Sequence, residues 1–309
     1  MASLFVLIGH ASNLLLNQPI PYDPFLYLFN IPIHTFGVLI FFSMSGFLVT
    51  KSWDTSKSFI DFCSARLLRI FPALICLIFL TVVILGVSIT ILPIQQYIFS
   101  PETIRYLINI SLYRQQDNLP GVFDFTPLGG NHVNGSLWTL PYEFTCYLVI
   151  AGIGMLPSTM KKHSTIFLSI SLMLLYFSTI PHDELLLTIP ILLLNAYKFH
   201  HLLLYFLIGS IFYHLRNYIP LTKYGLLLCL TSIFLIKIKL SSSIQIQALI
   251  YPITINYFIF SLAFAKKIPL DWYDKLGDLS YGIYLYAFPI QQTIITKWPS
   301  PLNLPKMIV

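Results

Sequence analysis

The sequence predicts an all-α fold, a polytopic transmembrane bundle of about ten helices, and three observations carry that prediction. Over 309 residues the chain is 56% hydrophobic and only 10% charged, whereas an average soluble domain is about 25% charged. Such a chain has too little polar surface to coat itself in water. Apolar runs recur at Ile31 to Thr50, Ile70 to Leu92, Ile166 to Ile180 and Ile244 to Ala265, near the length that crosses a hydrocarbon core of about 30 Å. Basic residues gather between these runs: Lys51, Lys57, Arg66 and Arg69 between the second and third spans, and Lys161 and Lys162 two spans later. The positive-inside tendency places both connections in the cytoplasm.

Taken in order, the first span covers 2–17. Met1 opens almost directly into the apolar run Ser3 to Ile8, with no small-residue cleavage site of a signal peptide, so this span reads as shortened at its start. Further spans are expected at 31–50, 70–92, 136–156, 165–181, 185–198, 201–215, 224–238, 244–265 and 279–296, which puts both termini in the cytoplasm. The 185–198 segment is short and contains Pro190. If it does not cross, every later helix reverses, moving Arg216, Lys223, Lys266 and Lys267 inside and Lys198, Lys237 and Lys239 outside. Between Pro93 and Gly135, LPGVFDFTPLGGNHVNG clusters Pro, Gly, Asn and Asp and reads as an ordered loop outside the cytoplasm, covering a cavity. With no internal repeat, polar linker or appended soluble region, residues 1–309 read as one multi-pass membrane domain.

Charge and cysteine usage narrow the partners. A net charge of +6 could suggest nucleic acid, but the 18 basic residues are dispersed between apolar spans and form no continuous basic face. No nucleic-acid partner is expected; the bilayer is. Cys63, Cys76, Cys146 and Cys229 lack metal-ligand spacing, so free thiols are expected rather than a metal site or a disulfide framework.

Polar side chains inside apolar spans are the candidates for chemistry. His10, in FVLIGHASNLLL, is either a general base or a neutral histidine bonded to a helix carbonyl. His34 precedes FGVLIFFSMSGFLVT, where Gly37, Ser43, Ser45 and Gly46 suit close helix packing or the clearance of a cofactor channel. Arg66 and Arg69 stand at i and i+3 in FCSARLLRIFP, on one helix face, placed to grip phosphate oxygens or to anchor in lipid headgroups. Glu143 lies in SLWTLPYEFTCYL with Trp138 and Tyr142 near the interface. A carboxylate there needs a partner, functional or structural. In LGDLSYGIYLYAFPIQQ, Asp278 and Ser280 read as capping groups, and Gln291 and Gln292 as interhelical hydrogen-bonders.

In this order, GHASN, FGVLIFFSMSGFLVTKSW, FCSARLLRIFPAL, SLWTLPYEF and LGDLSYGIYLYAFPIQQ resemble the acyltransferase-3 family of membrane acyltransferases, which includes O-acetyltransferases of O-antigen, exopolysaccharide and other cell-envelope glycans. The resemblance implies a multi-pass protein of the bacterial inner membrane. It would take an acetyl or short acyl group from acyl-coenzyme A on the cytoplasmic side and pass it to a hydroxyl of a glycan or glycolipid, with acetyl-coenzyme A as donor substrate and no permanently bound cofactor. By position, His10 matches the essential first-helix histidine, Arg66 and Arg69 the paired arginines associated with the donor, and Glu143 the acid of the tryptophan-serine-leucine-x-x-glutamate block. On this basis Ser45 and the amides around Gly46 are candidates to steady the thioester oxygen. Glu143 would orient His10 or bond the acceptor, and His34, Trp138 and Tyr142 fall on the acceptor side.

Two departures are visible. The family's basic residue upstream of the first histidine would fall before Met1, and the histidine that many relatives carry before the last proline is replaced in Ala287-Phe288-Pro289. The rival readings are a secondary transporter or flippase, which predicts inverted repeats, and a catalytically inactive family member.

Overall fold

The computed structural model describes residues 2–16, 23–124, 132–179, 188–189, 194–239, 244–265 and 279–298. Among the described residues it is all-α apart from one antiparallel pairing of Thr188–Ile189 with Leu194–Asn195. The helices are α1 (Ala2–Leu16), α2 (Pro24–Phe29), α3 (Ile33–Thr55), α4 (Phe59–Leu80), α5 (Ile94–Phe99), α6 (Pro101–Tyr106), α7 (Leu140–Gly154), α8 (Ser158–Thr179), α9 (Ala196–His214), α10 (Lys223–Lys239), α11 (Ile244–Ala263) and α12 (Ser280–Lys297). A π-helical stretch, Thr81–Gly86, and a last turn, Val87–Ile89, prolong α4. Ile33–Thr55 and Phe59–Ile89 are long and apolar enough to cross a membrane. Asp278 and residues 266–267 lie outside the described residues, as does half of the segment 185–198.

Local chemistry sets the entry to α3. Asp23 caps α2 by accepting from Phe25 N (2.8 Å) and Leu26 N (3.1 Å), and its second oxygen accepts from Ile33 N (2.7 Å) at the start of α3. Asn30 ends α2 in the left-handed region at φ 56°, which its short polar side chain tolerates. One buried carboxylate thus holds both helix starts. Asp23→Ala is expected to cost about 2–3 kcal/mol, the sum of a lost cap and an unsatisfied buried amide. Thermal unfolding checks this, and Asp23→Ser should recover the cap alone.

The centre of the bundle is a crossing of α3 with α9. A side chain at Gly46 would collide with the Phe206 carbonyl, and one at Gly209 with the Ser43 carbonyl, so the two glycines let the backbones touch. The Thr50 and Ser210 hydroxyls meet at 2.7 Å beside them. Gly46 therefore faces the α9 backbone rather than a cavity, which corrects its expected place beside a cofactor. Ser43, Thr50, Ser210, Asn256 and Gln292 are buried, while Phe79, Ile84, Phe167, Leu174, Leu228 and Phe234 are exposed. Some polar side chains thus sit within a mainly apolar core while large apolar side chains face outward, unlike a water-soluble surface.

The α9 helix also corrects the expected order of spans. It runs unbroken from its cap, where Asn195 Oδ1 accepts from Lys198 N at 2.9 Å, so no break separates residue 198 from residue 201. At its far end Tyr213 meets Asp54, His214 feels the charges of Asp54, Lys161 and Lys162, and the Lys162 ammonium sits 5.8 Å from the Tyr218 ring. Trp53 packs where a side chain on Gly154 would lie. One end of the bundle thus gathers the ends of α3, α7 and α9 with Lys161, Lys162 and Arg216. At the opposite end Lys237 Nζ donates to the Tyr27 carbonyl, Lys297 Nζ to the Ser88 carbonyl and Gln292 Nε2 to the His132 carbonyl. Arg216 accordingly joins the basic end, as expected if 185–198 does not cross.

Candidate active site

Three cavities follow one another between these ends. The first is lined by Ser45, Phe41 and Phe42 of α3, Arg69 of α4, Glu143 of α7, Thr139, and Tyr281 and Tyr284 of α12. The second is lined by His10, His34, Thr35, Trp138, Tyr197, Lys198 and His201, and shares Val38 and Tyr284 with the first. The third contains Tyr113, Arg114, Gln115, Pro141, Tyr142 and Leu194, and shares Trp138 and Lys198 with the second. Each pair of neighbouring cavities therefore has a common wall.

The histidine pair depends on close packing of α1 against α3. A side chain at Gly9 would overlap the Cβ and backbone of His34, so only glycine lets the two helices approach there. This brings the His10 and His34 rings to 5.9 Å between centroids. Phe288 of α12 meets the His10 ring edge-on at 5.1 Å, and Gly135 leaves room for that phenyl ring. His10 is thus held between an aromatic edge and a second imidazole. Among the described residues the lining of its cavity carries no carboxylate.

At the first cavity Glu143 Oε1 accepts a hydrogen bond from the Tyr147 hydroxyl, and the carboxyl group interacts electrostatically with Arg69 and, more weakly, with Arg66. The Arg66 guanidinium lies 5.6 Å from the Tyr147 ring and 5.7 Å from the Phe62 ring, with Nη2 donating to Ser52 Oγ at 3.1 Å. Its Nε is buried and has no acceptor among the described residues. The two rings and the Ser52 bond confine this guanidinium. Tyr284 donates to the Ser136 carbonyl at 2.9 Å and meets Thr139, while Tyr281 donates to the Ile70 carbonyl at 3.1 Å.

The structure brings Ser45, Arg69 and Glu143 together in one cavity and His10, His34 and Trp138 in the next, with Tyr142 in the third. Arg66 reaches the first group through Tyr147. Glu143 and His10 line different cavities, and the neighbours of Glu143 are Tyr147 and the arginines, so the expectation that it orients His10 gives way to one in which it sets the arginine pair. Sequence reasoning passed over Tyr281, Tyr284, Lys198, His201 and Arg114. His201 is an ionisable group inside an apolar segment, the signal that singled out His10, and the two tyrosines stand at i and i+3 in SYGIYLY.

Comparison with known proteins bears on this geometry. The acyltransferase domain family Acyl_transf_3 matches residues 1–307. An O-acetyl transferase of Shigella phage Sf6 is 30% identical over 298 residues, which is 96% of this chain and 83% of the phage protein. Nodulation protein 10 of Rhizobium leguminosarum bv. viciae is 33% identical over 159 residues, 48% of this chain and 40% of that protein. No solved structure matches. With the family matched from end to end and the phage enzyme aligned along nearly all of the sequence, the chain belongs to the acyltransferase-3 family and is an O-acetyltransferase.

Proposed function

We propose that this protein lies in the bacterial inner membrane as a multi-pass bundle and moves an acetyl group from acetyl-coenzyme A, bound at the basic cytoplasmic end, to a hydroxyl of a cell-envelope glycan on the other side. Among the described residues nine helices are of fifteen residues or more, and their alternating ends, with exposed apolar flanks, support that topology. The observation that carries the reading is the run of cavities sharing walls, with Arg69 in the first and His10 in the second. Family membership also removes the reason to read the chain as a transporter.

In this reading Arg66 and Arg69 hold phosphate groups of the donor, and its pantetheine arm lies in the first cavity beside Ser45, Tyr281 and Tyr284. The acyl group then reaches the second cavity. His10 accepts the proton of the attacking hydroxyl as its oxygen adds to the thioester carbonyl. Collapse of the tetrahedral adduct breaks the carbon–sulfur bond, and the proton leaves with the thiol of coenzyme A. Glu143 keeps the two guanidinium groups in place from behind.

The test is transfer from labelled acetyl-coenzyme A by the full chain in lipid. Arg66→Gln and Arg69→Gln are each expected to raise the KM for the donor by about 10- to 100-fold, the worth of a charge-assisted phosphate contact, with a smaller change in kcat. An unchanged donor KM in both variants would remove the arginines from the donor site.

A further inference from the structure

We propose that the third cavity is an anion-recognising acceptor site, and that the glycan acetylated by this enzyme carries a phosphate or carboxylate group close to the acetylated sugar. This identifies the substrate class of the transfer proposed above, on which it rests for the word acceptor.

Among the described residues two cations, Arg114 and Lys198, line the cavity, and no carboxylate does. Lys198 stands in the first turn of α9, where the helix dipole adds further positive potential. That helix start is fixed from both sides: Asn195 Oδ1 caps Lys198 N, and Asn195 N donates to the Tyr142 hydroxyl at 3.1 Å. Gln115 is held by its bond to the Leu137 carbonyl at 2.8 Å. The cavity is therefore a basic recess built on a fixed helix start.

Its remaining wall suits a sugar. Trp138 and Tyr142 meet edge to face at 5.7 Å, and the Lys198 ammonium lies 5.0 Å from the Trp138 ring. Aromatic faces pack against the apolar faces of pyranoses, and a cation beside them binds an anionic substituent. Trp138 and Lys198 also belong to the cavity of His10. A glycan with its anion on Arg114 and Lys198 would thus pass Trp138 and bring a neighbouring hydroxyl toward His10. Charge and hydroxyl would be read together, across one wall.

Two sources supply such an anion, a diphosphate linking the glycan to lipid or an acidic sugar in the glycan itself. The test uses glycans extracted from the envelope in three forms: untreated, stripped of diphosphate by mild acid, and carboxyl-reduced. Retention on the immobilised full chain in lipid, without donor, is measured first, followed by acetyl transfer from labelled acetyl-coenzyme A. Untreated glycan is expected to be retained at least about tenfold better than one of the neutralised forms, and the form that loses retention names the source. Arg114→Gln with Lys198→Gln should abolish this preference, Arg114→Lys with Lys198→Arg should restore it, and high salt should weaken it. Equal retention of all three forms, or a preference that survives in the glutamine variant, overturns the proposal. Absence of transfer alongside selective retention would instead overturn the transfer reading and leave the anion site standing.

Discussion

Replacing His10 by alanine is expected to lower acetyl transfer by about 10²- to 10⁴-fold, the range for a positioned general base, while leaving the donor affinity unchanged. Among the described residues, the lining of the cavity around the His10 ring has no carboxylate to take over as base. His34, with its ring 5.9 Å away, lines the same cavity, and His34→Ala should cost less. The decisive comparison is His10→Gln. Glutamine can hydrogen-bond a helix carbonyl as a neutral histidine would, but it cannot accept the proton of an attacking hydroxyl. Equal inactivity of the alanine and glutamine variants, with donor binding intact, identifies a base. Recovery in the glutamine variant would identify a structural histidine.

Gly46→Ala is expected to destabilise the protein by about 3 kcal/mol, the upper end of overpacking costs, because even a methyl group would enter the space of the Phe206 carbonyl. A backbone atom cannot rotate aside as a side-chain tip can. The α3 and α9 helices would have to part, and with them His34, Val38 and Ser45 on one side and Lys198 and His201 on the other. Acetyl transfer should therefore fall together with thermal stability. Gly152→Ala is the matched control. No atom stands within 4 Å of a side chain placed there, and alanine favours a helix by about 1 kcal/mol, so its unfolding temperature should hold or rise. If Gly46→Ala melted like Gly152→Ala, the close crossing of α3 and α9 would be refuted.

The residues of the site were more legible in the sequence than their grouping. Arg66 and Arg69 at helix spacing, Glu143 in an apolar span and His10 beside a glycine each stand out because charge or imidazole in such segments needs a reason. Which of them share a cavity depends on helix crossings, and no local pattern records those. Gly46 illustrates the limit: a small residue in a span serves close packing or ligand clearance equally well until the partner helix is known, and here Phe206 fills the place. The same holds for α9. Residues 185–198 and 201–215 are both apolar, and hydropathy alone cannot tell two short spans from one helix preceded by another kind of segment. The cap at Asn195 and the meeting of Tyr213 with Asp54 decide it. Lys198 looked like a topological marker in the sequence and stands instead in the walls of two cavities.

The central claim is that the acetyl group crosses from the arginine end to the His10 cavity within this one chain. The most direct measurement is transfer in sealed proteoliposomes of defined orientation, with labelled acetyl-coenzyme A confined to the side of Arg66 and Arg69 and the envelope glycan confined to the other. Label on the glycan with the unaltered chain, and none above background with His10→Ala, is the predicted result. Transfer only when donor and glycan share a side, or equal transfer by the His10→Ala variant, would contradict it.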